Sequence, residues 1–285
     1  MSRRDILLAH IDRDGLGLEI GPSHNPIAPR RDGFRVEIVD HASREDLVVK
    51  YAEHGVDTDA IEEVDFVWDG RRRYVELTGR PKGYDWIIAS HVIEHVPDLA
   101  AFINDCDAIL RDGGVLSLAV PDKRYCFDRM RPLTSLQSVV DAHLESRTNH
   151  TPGRVADYFL NVVALDGRVA WSPGDAEPGP LSRLGFVHGI DDARRGMRAA
   201  IEGNVYLDIH AWCFTPSSFR LLMDDLYALG CIQLRETAFQ DGGSEFFVAM
   251  SRNGAGHGLS RMELLDNIEH ELSAIVMPHA PPYGG

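Results

Sequence analysis

The sequence lacks the features that would place it in a membrane or in a secreted, disulfide-linked class. It has no apolar run approaching the ~18–20 residues of a membrane-spanning helix. The apolar stretch within residues 1–10 is too short for a secretory signal. The four cysteines are scattered and form no C-x-x-C pair, which argues against a disulfide framework and against a cysteine zinc site. We therefore expect reduced thiols in a cytoplasmic protein.

Lysine is also scarce, and acidic residues outnumber basic ones, 44 to 29. The formal net charge is −15, and the only lysines are Lys50, Lys82 and Lys123. Binding to a nucleic-acid backbone or to an anionic membrane depends on clustered Lys and Arg, and the sequence contains no basic tract. The expected partner is therefore a small molecule, not a nucleic acid or a membrane.

What is present is an alternation of short apolar runs with helical spacing. A helix is predicted from Asp98, its N-cap, to Leu110, and another from Thr215 to Leu229 with proline in its first turn. A hairpin of residues 232–239 and 245–251 follows the second helix. The other strand candidates are residues 16–21, 35–40, 64–68, 85–90 and 114–120. Since most of these are apolar on both faces, we predict an α/β fold with a parallel sheet covered by helices.

The spacing of these elements also predicts a domain organisation. Residues 1–121 and 215–255 form the core, and residues 122–214 form an insertion that leaves the fifth strand and covers the edge of the sheet where ligands bind. We expect this insertion to be a substrate-binding lid. Residues 256–285 hold an amphipathic helix pattern and a poorly ordered tail. That helix either packs on its own domain or forms a homodimer contact.

The turn after the first strand carries the main functional signal. Residues 16–26 read as a buried strand that ends in Glu19 and the Gly21 turn, and the next strand ends in Asp40. A glycine turn lets backbone approach a ligand, and an acid at the second strand end accepts hydrogen bonds from a ribose diol. The turn has no second or third glycine, so it fits the dinucleotide fingerprint of nicotinamide oxidoreductases poorly.

This layout resembles motif I of the class I S-adenosylmethionine (SAM)-dependent methyltransferases. The resemblance implies a Rossmann-like, seven-stranded sheet whose last strand is antiparallel, with a largely helical lid after strand five. It implies that Glu19 holds the amino end of SAM through water or a turn amide and that Asp40 holds the ribose. The remaining positions that it assigns to SAM are Gly21, Pro22, Ser23 and Asn25 in the turn, Asp69 and Gly70 near the adenine, and Ser90 and His91 beside the sulfonium. Asn25, which tolerates positive φ, is expected to help the turn.

The run Ser90-His-Val-Ile-Glu-His-Val96 is similar to the family's usual ending of strand four. Within this run, we expect Glu94 and His95 to cap the helix that follows or to bridge to it. The two ends of the insertion contain Pro-Asp-Lys-Arg-Tyr and His-x-Trp-x-Phe-Thr-Pro, which resemble a bacterial subset of methyltransferases associated with glycan and natural-product pathways. The substrate-binding candidates there are Lys123, Arg124, Tyr125, Asp208, Trp212 and Phe214.

An alcohol acceptor must lose a proton before methyl transfer, and histidine is suited to accept it. The candidate bases are His143 and His210, with Asp122 or Asp208 as the orienting carboxylate. Asp122 and Asp208 are alternatively ligands of a divalent metal such as Mg²⁺ that polarises a sugar diol. We expect O-methylation of a sugar or glycoside. N-methylation of an amino sugar or other amine and a catalytically silent SAM-binding partner subunit remain as alternatives.

Overall fold

A computed structural model describes residues 1–70, 72–176, 183–203 and 206–273. The predicted tail, residues 277–285, and the end of the predicted last helix after residue 273 lie outside this part of the chain. None of the described helices is both long and apolar enough to span a bilayer.

A seven-stranded sheet forms the centre of the molecule, in the order β3-β2-β1-β4-β5-β9-β8. Its neighbouring strands pair in parallel except for β9, which runs antiparallel to β5 and β8. This confirms the predicted sheet and its reversed last strand. The strands are β1 Leu16–Ile20, β2 Arg35–Asp40, β3 Phe66–Val67, β4 Tyr84–Ser90, β5 Leu110–Pro121, β8 Arg235–Asp241 and β9 Glu245–Ser251.

Nine α-helices occur among the described residues. They are α1 Arg3–Leu7, α2 Arg44–Tyr51, α3 Tyr74–Thr78, α4 Leu99–Ile109, α5 Leu136–Leu144, α6 Pro152–Asn161, α7 Ile190–Glu202, α8 Pro216–Ala228 and α9 Arg261–Ser273. The predicted N-cap of α4 is present, because the Asp98 carboxylate accepts a hydrogen bond from the Ala101 amide at 2.8 Å. Thr215 occupies the N-cap position of α8 ahead of Pro216, but its hydroxyl has no hydrogen-bond partner among the described residues, and its amide donates to Ser218 Oγ at 2.8 Å. The end of α4 was predicted one residue late, because Leu110 already pairs with Tyr84 in the sheet.

The segment between β5 and α8 is largely helical, as predicted. It contains α5, α6 and α7 together with a two-stranded hairpin, β6 Val163–Leu165 and β7 Leu184–Phe186. Its last residues return to the sheet edge, where the Lys123 amide donates to the Phe214 carbonyl at 2.8 Å. Both ends of the insertion are therefore fixed beside the carboxyl end of β5.

Alternate residues of the central strands pack into two apolar layers. In β4, Ile87 belongs to one layer, and Trp86 and Ile88 belong to the other. Gly17 in β1 allows the Trp86 ring to approach, because a Cβ at this glycine would lie 2.1 Å from ring carbons. Trp86 is fully buried as a result.

Helix α9 packs against α8 of its own domain. The Ser217 hydroxyl donates to the Glu271 carboxylate at 2.7 Å, and Leu264 is fully buried. Met262 on the same helix is 73% exposed. The described part of the helix therefore supports packing within the chain.

Candidate cofactor and acceptor site

A cleft of about 520 Å³ opens at the carboxyl edge of β1, β4 and β5. This is the edge at which ligands bind in open α/β sheets. The insertion contributes Tyr125, Phe127 and His210 to its wall. Most of the positions predicted for the cofactor line the same cleft: Glu19, Gly21, Pro22, Ser23, Asn25, Ser90 and His91.

Glu19 is buried at the end of β1 and organises the turn that follows. Its two carboxylate oxygens accept hydrogen bonds from the amides of Ile27 at 2.6 Å and Ala28 at 3.1 Å. Burial raises the pKa of Glu19 to about 7, although the two amide bonds act in the opposite direction. The carboxyl group therefore stands near the midpoint of its titration at neutral pH.

The turn forms without the additional glycines of the family motif. Gly21 has φ 65° and Ser23 has φ 47°, so the second left-handed position falls on Ser23 and not on Asn25, where we expected help with the turn. The Ser23 amide donates to Asp40 Oδ2 at 2.9 Å. The Asp40 carboxylate thus stabilises the unusual conformation of Ser23.

Asp40 is almost fully buried behind the turn and does not line the cleft. Its Oδ1 accepts a hydrogen bond from the His41 amide at 2.8 Å and lies 2.6 Å from His41 Nδ1. A ribose that binds Asp40 would have to displace the His41 ring, which is about half exposed. The ribose assignment stays a prediction.

His143 lies apart from this cleft, in a second cavity of about 420 Å³ that also contains Gly70. Its Nδ1 lies 3.2 Å from Asp98 Oδ2, and Asp98 is the N-cap of α4. The sequence offered His143 and His210 as candidate bases. The structure places only His210 on the cleft that the Gly21 turn lines. Asp69 is exposed and accepts a hydrogen bond from the Arg72 amide at 3.2 Å.

The polar residues at the start of the insertion form hydrogen bonds within the insertion. Asp122 is fully buried and accepts hydrogen bonds from the backbone amide and guanidinium of Arg124, so it neither orients a histidine nor joins Asp208 as a metal ligand. Lys123 is also buried, its Nζ donates to the Arg129 carbonyl at 2.8 Å, and burial lowers its pKa. Asp122 was therefore wrong as a catalytic or metal-binding residue, and Lys123 and Arg124, which do not line the cleft, were wrong as substrate-binding residues.

Trp212 and Phe214 were expected to contact substrate, and this was wrong. Both side chains are 1% exposed and belong to the apolar core. Trp212 Nε1 donates to the Val96 carbonyl at 2.6 Å, and the Arg154 guanidinium stacks 3.7 Å from the Trp212 ring. The aromatic residues on the cleft are instead Tyr125 and Phe127.

His210 is held by a carboxylate that sequence reasoning missed. Its Nδ1 lies 2.5 Å from Asp128 Oδ2, and Arg131 Nη1 donates to Asp128 Oδ1 at 2.8 Å. Burial raises the pKa of Asp128, but the charges and hydrogen bonds of His210 and Arg131 hold that pKa below its ordinary value. With its Nδ1 on this carboxylate, the imidazole turns Nε2 away from Asp128.

Glu94 and His95 form the rest of this polar cluster, and they do not cap α4. Glu94 Oε1 lies 3.8 Å from His210 Nε2 and 3.9 Å from His95 Nε2. His95 Nδ1 lies 2.8 Å from Asp208 Oδ1, and this contact lowers the pKa of Asp208 to about 2. The position of Glu94 and His95 just after a buried strand, at the ligand-binding edge, was the sequence signal for them.

Comparison with known proteins adds a family to this geometry. A family described as a methyltransferase domain matches residues 2–160, more than half of the chain. The chain belongs to the methyltransferase domain family. This membership supports SAM as the cofactor, and the sheet has the fold expected of such a methyltransferase.

Solved structures match this methyltransferase at low identity. The CcbJ methyltransferase from Streptomyces caelestis is 12% identical with a TM-score of 0.43, covering 88% of this chain and 96% of that chain. A SAM-dependent methyltransferase from Methanosarcina mazei is 14% identical with a TM-score of 0.42, covering 86% and 96%. A candidate Zn-dependent alcohol dehydrogenase from Rhodobacter sphaeroides is 12% identical with a TM-score of 0.45, covering 88% and 89%. No curated protein matches the chain.

Proposed function

We propose that this methyltransferase transfers the methyl group of SAM to a hydroxyl oxygen of a small molecule, a sugar or glycoside. The observation that carries the proposal is the Asp128–His210 pair on the cleft that the Gly21 turn also lines. Family membership accounts for methyl transfer, and the buried carboxylate–imidazole pair offers a route for the proton that an alcohol must lose.

The cleft fits SAM on two observations. Its volume of about 520 Å³ lies within the range of roughly 300–1,000 Å³ typical of small-molecule sites. Gly21 has no side chain that would crowd the wall of the cleft, where a Cβ would lie 3.1 Å from Val92 Cγ2. The φ of Gly21, 65°, is also a value that glycine adopts easily. The residues that would hold SAM are Glu19 and the turn from Gly21 to Asn25, with Ser90 and His91 on the other side. When bound, SAM supplies an activated methyl group on sulfur.

His210 is the histidine that we propose as the base, and His143 is not. Its Nδ1 faces Asp128, so in the neutral imidazole with hydrogen on Nδ1 the Nε2 atom is free to accept a proton. Tyr125 and Phe127 border the same cleft and offer faces for the apolar side of a pyranose. These three residues belong to the insertion, which we propose as the substrate-binding part of the chain.

N-methylation of an amino sugar or other amine is the nearest alternative. A deprotonated amine is already nucleophilic, so it would depend much less on His210. A silent SAM-binding subunit would show no transfer with either acceptor. Assaying labelled methyl transfer from SAM to matched sugars and amino sugars separates these cases.

The decisive variant is His210→Gln, with His143→Gln as its matched control. Removing a positioned base typically lowers turnover by about 10²–10⁴-fold. We expect that loss for His210→Gln with a hydroxyl acceptor, near-normal turnover for His143→Gln, and unchanged affinity of both variants for S-adenosylhomocysteine by calorimetry. Near-normal turnover of His210→Gln would refute the role of this histidine and favour an amine acceptor.

A further inference from the structure

Three potential metal ligands converge beside the cleft, on the polar cluster of Glu94, His95 and His210. Their donor atoms all lie within 4.8 Å of one another, and among the described residues no other group of three or more such side chains does so. Glu94 Oε1 faces the Nε2 atoms of both histidines, at 3.9 Å from His95 and 3.8 Å from His210. The cluster therefore presents two imidazole nitrogens and one carboxylate around a common point.

The outer nitrogen of each imidazole faces a carboxylate. His95 Nδ1 lies 2.8 Å from Asp208 Oδ1, and His210 Nδ1 lies 2.5 Å from Asp128 Oδ2. In metal sites, a ligating histidine almost always donates its other ring N–H to such a partner, which orients the ring toward the metal. His210 is thus fixed with Nε2 directed to Glu94. His95 Nδ1 is close to Asp208 but forms no hydrogen bond with it, so the orientation of its ring rests on the ion-pair distances alone.

Glu94 supplies an independent observation. Its side chain is 0% exposed, and neither carboxylate oxygen has a hydrogen-bond partner among the described residues. A buried carboxylate without hydrogen bonds is strongly unfavourable unless a positive charge compensates it. The Asp128 and Asp208 carboxylates, by contrast, each have a close polar partner.

We propose that Glu94, His95 and His210 bind one divalent transition-metal ion. Two imidazole ligands favour Zn²⁺, Cu²⁺, Ni²⁺ or Fe²⁺ over Mg²⁺, which prefers oxygen ligands. Bonds of about 2.0–2.2 Å to nitrogen and oxygen would bring the donor atoms to about 3.4 Å apart in a tetrahedral site. The two Glu94 distances of 3.8 and 3.9 Å would have to shorten by a few tenths of an ångström, and donor atoms of the cluster that lie up to 4.8 Å apart would have to approach by about 1.4 Å.

Three protein ligands leave a coordination position open, as in catalytic zinc sites. His210 lines the cleft, so this position is beside the acceptor. Here the inference rests on the proposed function: a metal ion at this point would bind the hydroxyl of the acceptor. With the ion bound, His210 Nε2 would be a ligand and not the base. The ion would then lower the pKa of the bound hydroxyl so that its proton passes to solvent, and His210 would act as the base only in the metal-free protein.

Metal binding can be measured without assaying methyl transfer. Protein stripped with a chelator is titrated with Zn²⁺ by calorimetry and with Co²⁺ by visible absorption, and bound metal is counted by elemental analysis. We expect one ion per chain and a Co²⁺ spectrum with nitrogen ligands. His95→Gln and His210→Gln should lose this binding, and His143→Gln should retain it.

Asp128→Asn should cause a smaller loss of affinity, because Asp128 is not a proposed ligand itself but the hydrogen-bond partner of the ligand His210. Losing such a partner typically weakens metal affinity by about 10–100-fold. Circular dichroism and thermal unfolding show that each variant is folded, and Glu94→Gln replaces any histidine variant that is not. Absence of stoichiometric binding, or binding that survives His210→Gln, would overturn the proposal.

The two proposals fail separately. If the protein binds the ion as expected but transfers no methyl group to any hydroxyl, the metal site stands and the proposed reaction fails. If stripped protein binds no ion and still methylates a hydroxyl in a manner that depends on His210, the metal site fails and the histidine base stands.

Discussion

Replacing Glu19 with glutamine should change how stability depends on pH. The folded chain raises the pKa of Glu19 from 4.5 to about 7, chiefly by burial. Between these values the folded protein holds a proton that the unfolded chain has released, so the free energy of unfolding falls as pH rises. The difference corresponds to about 3 kcal/mol, which is lost progressively between pH 4.5 and about 7 and stays lost above that range.

Glu19→Gln removes this titration and nearly keeps the side-chain shape. One glutamine oxygen can still accept an amide hydrogen bond, but the other amide of the Ile27–Ala28 pair loses its acceptor, which costs about 1–3 kcal/mol at every pH. The variant is therefore expected to be less stable than the wild type near pH 4. By about pH 8 that deficit should shrink by about 3 kcal/mol or reverse.

Urea unfolding followed by circular dichroism, at intervals between about pH 4 and about pH 8, measures this difference. The control is Glu45→Gln, because Glu45 is exposed on α2 and its removal should leave the pH profile unchanged. If the curves of the wild type and Glu19→Gln remain parallel across the whole range, Glu19 does not titrate as its burial requires, and the reasoning is refuted.

Three further outcomes are expected. Asp40→Ala should weaken binding of S-adenosylhomocysteine by about 1.5–3 kcal/mol, the usual loss for a charged hydrogen-bond acceptor, and equal affinity in calorimetry would remove Asp40 from the site. Gly17→Ala should lower the free energy of unfolding by about 1–3 kcal/mol or more, because its Cβ would meet the Trp86 ring, whereas Gly153→Ala, with open space around it, should not. Labelled methyl transfer to RNA or DNA should stay far below transfer to a small acceptor, since a chain with a net charge of −15 attracts no phosphate backbone, and comparable rates would contradict this.

The residues that were wrongly assigned from the sequence and the one that was missed have the same explanation. His143 and His210 are equivalent as single residues in a sequence, but the helix that carries His143 directs it to the N-cap Asp98, away from the cleft. Trp212 and His210 are two residues apart, and one is core while the other lines the cleft. Asp128 had no pattern that could connect it with His210, because the two are 82 residues apart.

The sequence alone determined the fold class, the order of the strands along the chain and the position of the Gly21 turn. These follow from local physics: apolar runs form buried strands, Asp98 caps α4, Pro216 begins α8, and Gly21 allows a left-handed turn. The tertiary structure alone decided which polar side chains meet. Contacts such as Glu94 with His210 depend on how the insertion folds back across the sheet edge, and no spacing in the sequence encodes that path.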